Sequence, residues 1–188
     1  MALVVFLKGV NVGGYRRFRP SILASELKRF DVLNIGAAGT FVVRKPVARA
    51  DLRAEITRRL PFDVEVMICS GSDILHLLAD DPFDGHATGK DIVPFVSVMA
   101  ARKNPVPALP LNFPAEGDWC LKVLRCQNRF VLGLYRREMK AIAYLGQLEK
   151  VFGVSLTTRN WNTIVRIAKV LGVQASVTPT RPADSVSG

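Results

Sequence analysis

Ala2–Leu7 is an unbroken apolar run that passes directly into Lys8-Gly9-Val10-Asn11-Val12-Gly13-Gly14, and this junction narrows the folds open to the chain more than any other stretch. Apolar residues that do not alternate with polar ones, several of them β-branched or aromatic, predict a strand covered on both faces. The run is far shorter than the roughly 20 residues of a membrane span, and Lys8 interrupts it too soon for a signal peptide. A soluble, cytoplasmic protein with no membrane partner is therefore expected. Lys8 and Asn11 emerge where the strand ends. Gly13 and Gly14 permit positive φ and close approach, so their amides can form an anion-binding concavity. A tight turn without a ligand accounts for the same two glycines equally well.

The order of elements behind that strand sets the expected architecture. Pro20 and Ser21 open a helix with Ile22, Leu23, Leu27 and Phe30 on one face; short strands follow over 32–35 and 40–44, separated by a glycine-rich turn at 36–39. Leu52, Ile56 and Leu60 at spacing four mark a helix over 50–60, and Val64, Val66 and Ile68 alternate with Glu65 along a strand over 63–70. This is βαββαβ, the ferredoxin-like order. A short helix over 71–79 precedes the loop Asp80–His86, which divides a first half, residues 1–85, from a second, 86–173. The second half reads as a strand over 91–101, with Pro94 placing it near an edge, then an extended linker or lid over 103–117 containing Pro105, Pro107, Pro110 and Pro114. Hairpin strands at 119–125 and 129–136, a helix over 145–152 stopped by Gly153, and a last helix that Thr157–Thr163 starts, with Thr157 or Thr158 as its cap, complete it. Residues 174–188, rich in Ser, Thr and Pro, have little to bury and predict a disordered tail. The expected fold is α+β, two ferredoxin-like halves packed together with the second irregular, and 188 residues suffice for one shared core.

A net charge of +10 concentrates at the two ends of the chain, while residues 71–118 are acidic. That pattern suits an anionic partner held by both ends, or a basic surface that keeps the protein soluble. The three cysteines, Cys69, Cys120 and Cys126, lack CxxC spacing, and the histidines are His76 and His86 alone, so neither a zinc site nor a disulfide framework is expected, and no cofactor. Walker, GxGxxG and GxSxG patterns are absent. His86 in a polar loop and Cys69 at a strand end are the remaining acid–base and nucleophile candidates; a solvated loop residue and a small core residue describe them more simply.

The candidate ligand-binding residues are thus Lys8, Asn11, Gly13 and Gly14 with Arg159, Asn160, Asn162 and Thr163. A helix start carrying Arg, Asn and Thr combines free amides, a favourable dipole end and side-chain donors. Arg159 there would oppose the dipole, which calls for a bound anion or a carboxylate opposite it. Asn160 and Asn162 serve equally well to tie down loops. Two other classes of function fit the composition: sequence-independent nucleic-acid binding through Arg16, Arg17, Arg19, Arg129, Arg136 and Arg137, with Tyr15 and Phe18 interleaved, and a structural or partner-binding protein without a ligand.

Two stretches, Gly9–Gly14 and Thr157–Thr163, resemble the G-[IV]-N-V-G-G and T-[TG]-R-N-W-N-T motifs of the bacterial family of unknown function numbered 1697, with the resemblance spanning about residues 1–172. It implies an α+β protein of two ferredoxin-like halves and carries no established activity. The chain departs from the family pattern in two places. Ala37-Ala38-Gly39-Thr40 stands where Gln-Ser-Gly-Asn is usual, and Met139-Lys140-Ala141-Ile142 where a Gly-Arg-Ser-Lys-like stretch is common. If those polar residues belong to a shared site, a different ligand, weaker binding or a lost activity is expected.

Overall fold

The apolar run forms β1 (Leu3–Leu7), buried along its whole length because both of its faces meet a core layer. In the computed structural model, which describes residues 1–14, 16–102 and 105–172, β1 lies inside a four-stranded antiparallel sheet of order β2-β3-β1-β4. Its companions are β2 (Val32–Gly36), β3 (Thr40–Val43) and β4 (Val66–Ser70). Leu3, Val5 and Leu7 turn one way with Phe41, Val43 and Ile68, onto Leu23 of α1 (Pro20–Glu26) and Leu52 and Ile56 of α2 (Arg49–Arg59). Val4 and Phe6 turn the other way with Val42 and Met67. The first half therefore runs βαββαβ as expected, followed by α3 (Gly71–Ala79), whose start is closed by a reciprocal capping box between Ser70 and Asp73.

The second sheet is five-stranded, of order β6-β7-β8-β5-β9 and antiparallel throughout. It comprises β5 (Ile92–Met99), β6 (Leu111–Phe113), β7 (Leu121–Gln127), β8 (Phe130–Arg136) and β9 (Leu156–Asn160). Its outer face, including Phe95, Leu121, Val123 and Val131, packs on Leu148 and Phe152 of α4 (Met139–Phe152), which stops at Gly153 in the left-handed conformation. Its inner face presents Val96, Val98, Leu132 and Leu134 to Val4, Phe6, Val42 and Met67 of the first sheet. Ile74 and Leu77 of α3 and Ile164 and Ile167 of α5 (Trp161–Val170) fill the same layer. At about 1.5–3 kcal/mol for each large apolar side chain fully buried, this shared layer makes the two sheets one body.

The fold corrects four expectations. The second half departs from βαββαβ, since β5, β6, β7 and β8 follow one another without a helix. The stretch read as a linker contributes β6, which pairs with β7 because Leu111 and Phe113 find a place against the outer core despite the flanking prolines. Strand β5 is interior, flanked by β8 and β9; pairing with β9 begins only at Phe95, so Pro94 falls beyond that ladder. Residues 156–160 extend as a strand, and the last helix starts at Trp161 with Asn160 as its N-cap. The expected tail at 174–188 lies outside the described residues.

The exposed side of β4 is finished by arginines. The carbonyls of Val66 and Ile68 on this edge strand accept hydrogen bonds from Arg53 and Arg129. Filling the free acceptors of a sheet edge in this way blocks pairing with another chain. Among the described residues no helix is long and apolar enough to cross a membrane.

Candidate functional site

Register places Arg159 opposite Val96, so its side chain leaves β9 toward the inner face and the first sheet. It is 7% exposed. Its Nε donates to Thr40 Oγ1 at 2.8 Å, Nη1 to Thr157 Oγ1 at 2.9 Å and to the Thr158 carbonyl at 2.8 Å, and Nη2 to the carbonyls of Leu7 and Ala38, both at 2.7 Å. A guanidinium has five N–H groups, and here each has an acceptor. Every acceptor is neutral, and among the described ion pairs none includes Arg159. Burial lowers its pKa to about 10, so it remains a cation at neutral pH. The expectation of a carboxylate or an anion directly opposite Arg159 is therefore corrected. Because the residue lies on a strand, no helix dipole opposes it, and carbonyl and hydroxyl dipoles from both halves solvate its charge.

The other motif closes onto the same turn. Asn11 has φ 55°, a left-handed conformation that Asn tolerates better than most residues. Its Nδ2 donates to the Ala37 carbonyl at 2.8 Å, and its Oδ1 accepts from the Phe18 amide at 3.0 Å. Asn11 and Arg159 thus end on adjacent residues, well within the roughly 15 Å that a shared site requires. Gly39 makes this convergence possible. It has φ 68°, and a Cβ there would stand 2.7 Å from Val10 Cγ2 and 2.9 Å from Leu7 Cβ, so any side chain would push the turn off β1. Arg166 of α5 flanks the same turn, its Nη1 3.7 Å from where a Cβ on Gly36 would lie.

Lys8 is held by protein partners rather than free. Its Nζ lies 2.5 Å from Glu149 Oε1 and 3.8 Å from Glu65 Oε2, and donates to Ser155 Oγ at 2.6 Å. Ser155 in turn donates to Glu65. Burial pushes the Glu149 carboxyl upward, but the hydrogen bonds from Lys8 and the Leu156 amide, with the Lys8 charge, outweigh it and hold the group below its usual value. Lys8 also lines, with Arg16, Asp63, Val64 and Glu65, an open cleft of about 460 Å³. Asn160 caps α5 by accepting from the Asn162 amide at 2.8 Å, while the Asn162 side chain is exposed and Thr163 half-buried. Gly13 and Gly14 have φ 57° and 83° on an exposed loop that also presents Arg16 and Arg17.

The basic face divides. Arg129 is a joint residue: its Nε and Nη2 donate to the Met99 carbonyl, Nη2 also to Ala100, and Nη1 to Ile68 in the first sheet. Arg16, Arg17 and Arg19 project from the first half, while Arg136 and Arg137 stand at the end of β8. Cys69 is sealed in the core, where burial pushes its thiol up to about 12, which removes it as a nucleophile. His86 is exposed, and among the described residues no group of three or more His, Cys, Asp or Glu is placed to hold a metal. Sequence reasoning missed Thr40, Ser155, Glu149 and Arg166. Only Thr40 had a signal, since it occupies the last place of the turn the family writes Gln-Ser-Gly-Asn.

The family model described as "Protein of unknown function (DUF1697)" matches residues 1–110, which contain the first motif but not the second. No curated protein matches the chain. Among solved structures, the conserved bacterial protein SP0830 from Streptococcus pneumoniae superposes with a TM-score of 0.58 at 16% identity, covering 92% of this chain and 98% of that one. At that identity the likeness is one of fold.

Proposed function

The chain belongs to the DUF1697 family of unknown function, and from that premise we propose that it binds a small phosphate-bearing anion at the surface of the joint between its halves. The observation that carries this reading is the charge of Arg159, buried without a carboxylate beneath the exposed Ala37-Ala38 turn. A phosphate over that turn supplies the missing counter-charge without touching the guanidinium. At an effective dielectric of about 20, a cation about 8 Å from a unit anion contributes about 2 kcal/mol. Direct contacts come from the first turn of α5, with Asn160, Asn162 and Thr163, from the amides of Gly13 and Gly14, and from the exposed Arg166, Arg16 and Arg17. Lys8 and Asn11 frame the site. On this reading the first half is ferredoxin-like, a fold that hosts many unrelated functions, so the argument rests on the site.

Thermal denaturation with pyrophosphate, phosphate or sulfate, each against chloride at equal ionic strength, tests the proposal. Pyrophosphate is expected to raise the Tm of the wild type, and Asn162→Ala/Arg166→Gln to abolish that rise while leaving the Tm in chloride within about 2 °C. A wild type that responds to ionic strength alone overturns it.

A further inference from the structure

The second sheet has one strand more than the first, and its inner face continues past the shared core. On β5 and β8 this face is sealed at Val96, Val98, Leu132 and Leu134; along the row that Leu134 shares with Pro94, Lys122 of β7 is partly exposed and Asn112 of β6 exposed. Trp119, which packs one side against the shared core and stays partly exposed, and Arg136, also partly exposed, stand beside that row. Lys122 Nζ lies 5.1 Å and Arg136 Cζ 5.0 Å from the centroid of the Trp119 ring, so two cations share one indole. Neither belongs to a described ion pair. Arg136 Nε is moreover one of two buried side-chain polar atoms among the described residues without a hydrogen-bond partner. Arg159, by contrast, has all five donors satisfied, and Arg129 has each of its nitrogens bonded.

We propose that this overhanging face binds single-stranded nucleic acid, with a base stacked on Trp119 and its flanking phosphates on Lys122 and Arg136. The face of an open sheet presents an aromatic ring and backbone-binding cations together, which is how unstacked bases are held without sequence readout. The two cations that cover the indole in the free protein are the groups phosphates draw away, which frees the ring for a base. This site shares no residue with the anion site proposed at the Ala37-Ala38 turn.

Fluorescence anisotropy with a labelled single-stranded RNA of about 12 nucleotides tests the proposal. The wild type should bind at about 50 mM salt. Two neutralised phosphates give a logarithmic slope near −1.4, hence about a sevenfold loss at about 200 mM. Trp119→Ala should weaken binding at least about tenfold, Trp119→Phe should retain most of it, and Lys122→Gln should flatten the salt dependence. Asn162→Ala/Arg166→Gln should bind RNA as the wild type does, which separates this site from the joint. No binding at about 50 mM salt, equal affinity for a duplex of the same sequence, or full affinity in Trp119→Ala overturns the proposal.

Discussion

Replacing Arg159 by alanine should cost the protein about 4 kcal/mol. The substitution removes five hydrogen bonds from an ionised donor, and at about 1.5 kcal/mol each their loss amounts to about 7.5 kcal/mol. Removing the charge also relieves its desolvation. The lowering from the usual arginine value to about 10 corresponds to about 3 kcal/mol of penalty on the cation, which offsets part of the loss. The remainder is a large share of the 5–15 kcal/mol that typically stabilises a domain. Arg159→Lys keeps the charge but has at most three donors in a less suitable geometry, so an intermediate loss of about 3 kcal/mol is expected. Urea unfolding followed by far-UV circular dichroism and by tryptophan fluorescence measures both. Three of the five acceptors, Leu7, Ala38 and Thr40, belong to the first half, so the alanine variant should also show transitions that no longer coincide between the two probes. A loss below about 1 kcal/mol for Arg159→Ala, or a lysine variant as stable as the wild type, would refute the reasoning.

Gly133→Ala should destabilise by more than about 3 kcal/mol or prevent folding, because its Cβ would lie 2.3 Å from the Lys122 carbonyl and 2.7 Å from the Phe95 ring; Gly146→Ala, with nothing within 4 Å on a helix, should stabilise by about 0.5–1 kcal/mol. Chemical denaturation of the pair checks both signs. Asn11→Ala should cost about 2 kcal/mol, and Asn11→Gly about 1 kcal/mol less than that, since both lose the bonds to Ala37 and Phe18 but glycine accepts the positive φ without strain. Equal losses would show that backbone strain has no part in it. Glu149→Gln should cost about 0.5–1 kcal/mol at pH 7, the range for a half-exposed pair. The folded-state pKa is lowered, so the stabilisation is complete above the unfolded value near 4.5 and is lost as pH falls through the folded one. Stability curves of wild type and variant should therefore converge as pH falls below that lowered value, and a gap that does not narrow with falling pH would contradict the ion pair.

The first half was legible because its signals are local. An apolar run, a glycine turn and apolar residues at spacing four each specify one element, and the βαββαβ order follows from their sequence. The second half was less so because its elements depend on partners distant in the chain. Leu111–Phe113 is a strand only because β7 lies beside it, and β5 tolerates Pro94 only because the β9 ladder begins one residue later. The same dependence hid the chemistry of the site. Arg159 looked like a ligand contact because its acceptors lie 119 to 152 residues away at Thr40, Ala38 and Leu7. Two of these, Leu7 and Ala38, accept through backbone carbonyls, which have no residue-type signature. Lys8 looked free for the same reason, its partners being Glu149 and Ser155 on the far side of the joint.

The central claim, that an unneutralised buried guanidinium makes the surface of the joint a site for phosphate-bearing anions, is tested most directly by mapping a ligand onto the amides. In a titration of isotope-labelled protein with pyrophosphate at constant ionic strength, followed by two-dimensional NMR, saturable shifts should concentrate on residues 36–39, 160–163 and the loop at 11–14. Shifts that never saturate and spread over all exposed lysines and arginines, or that leave those three segments unmoved, would contradict it.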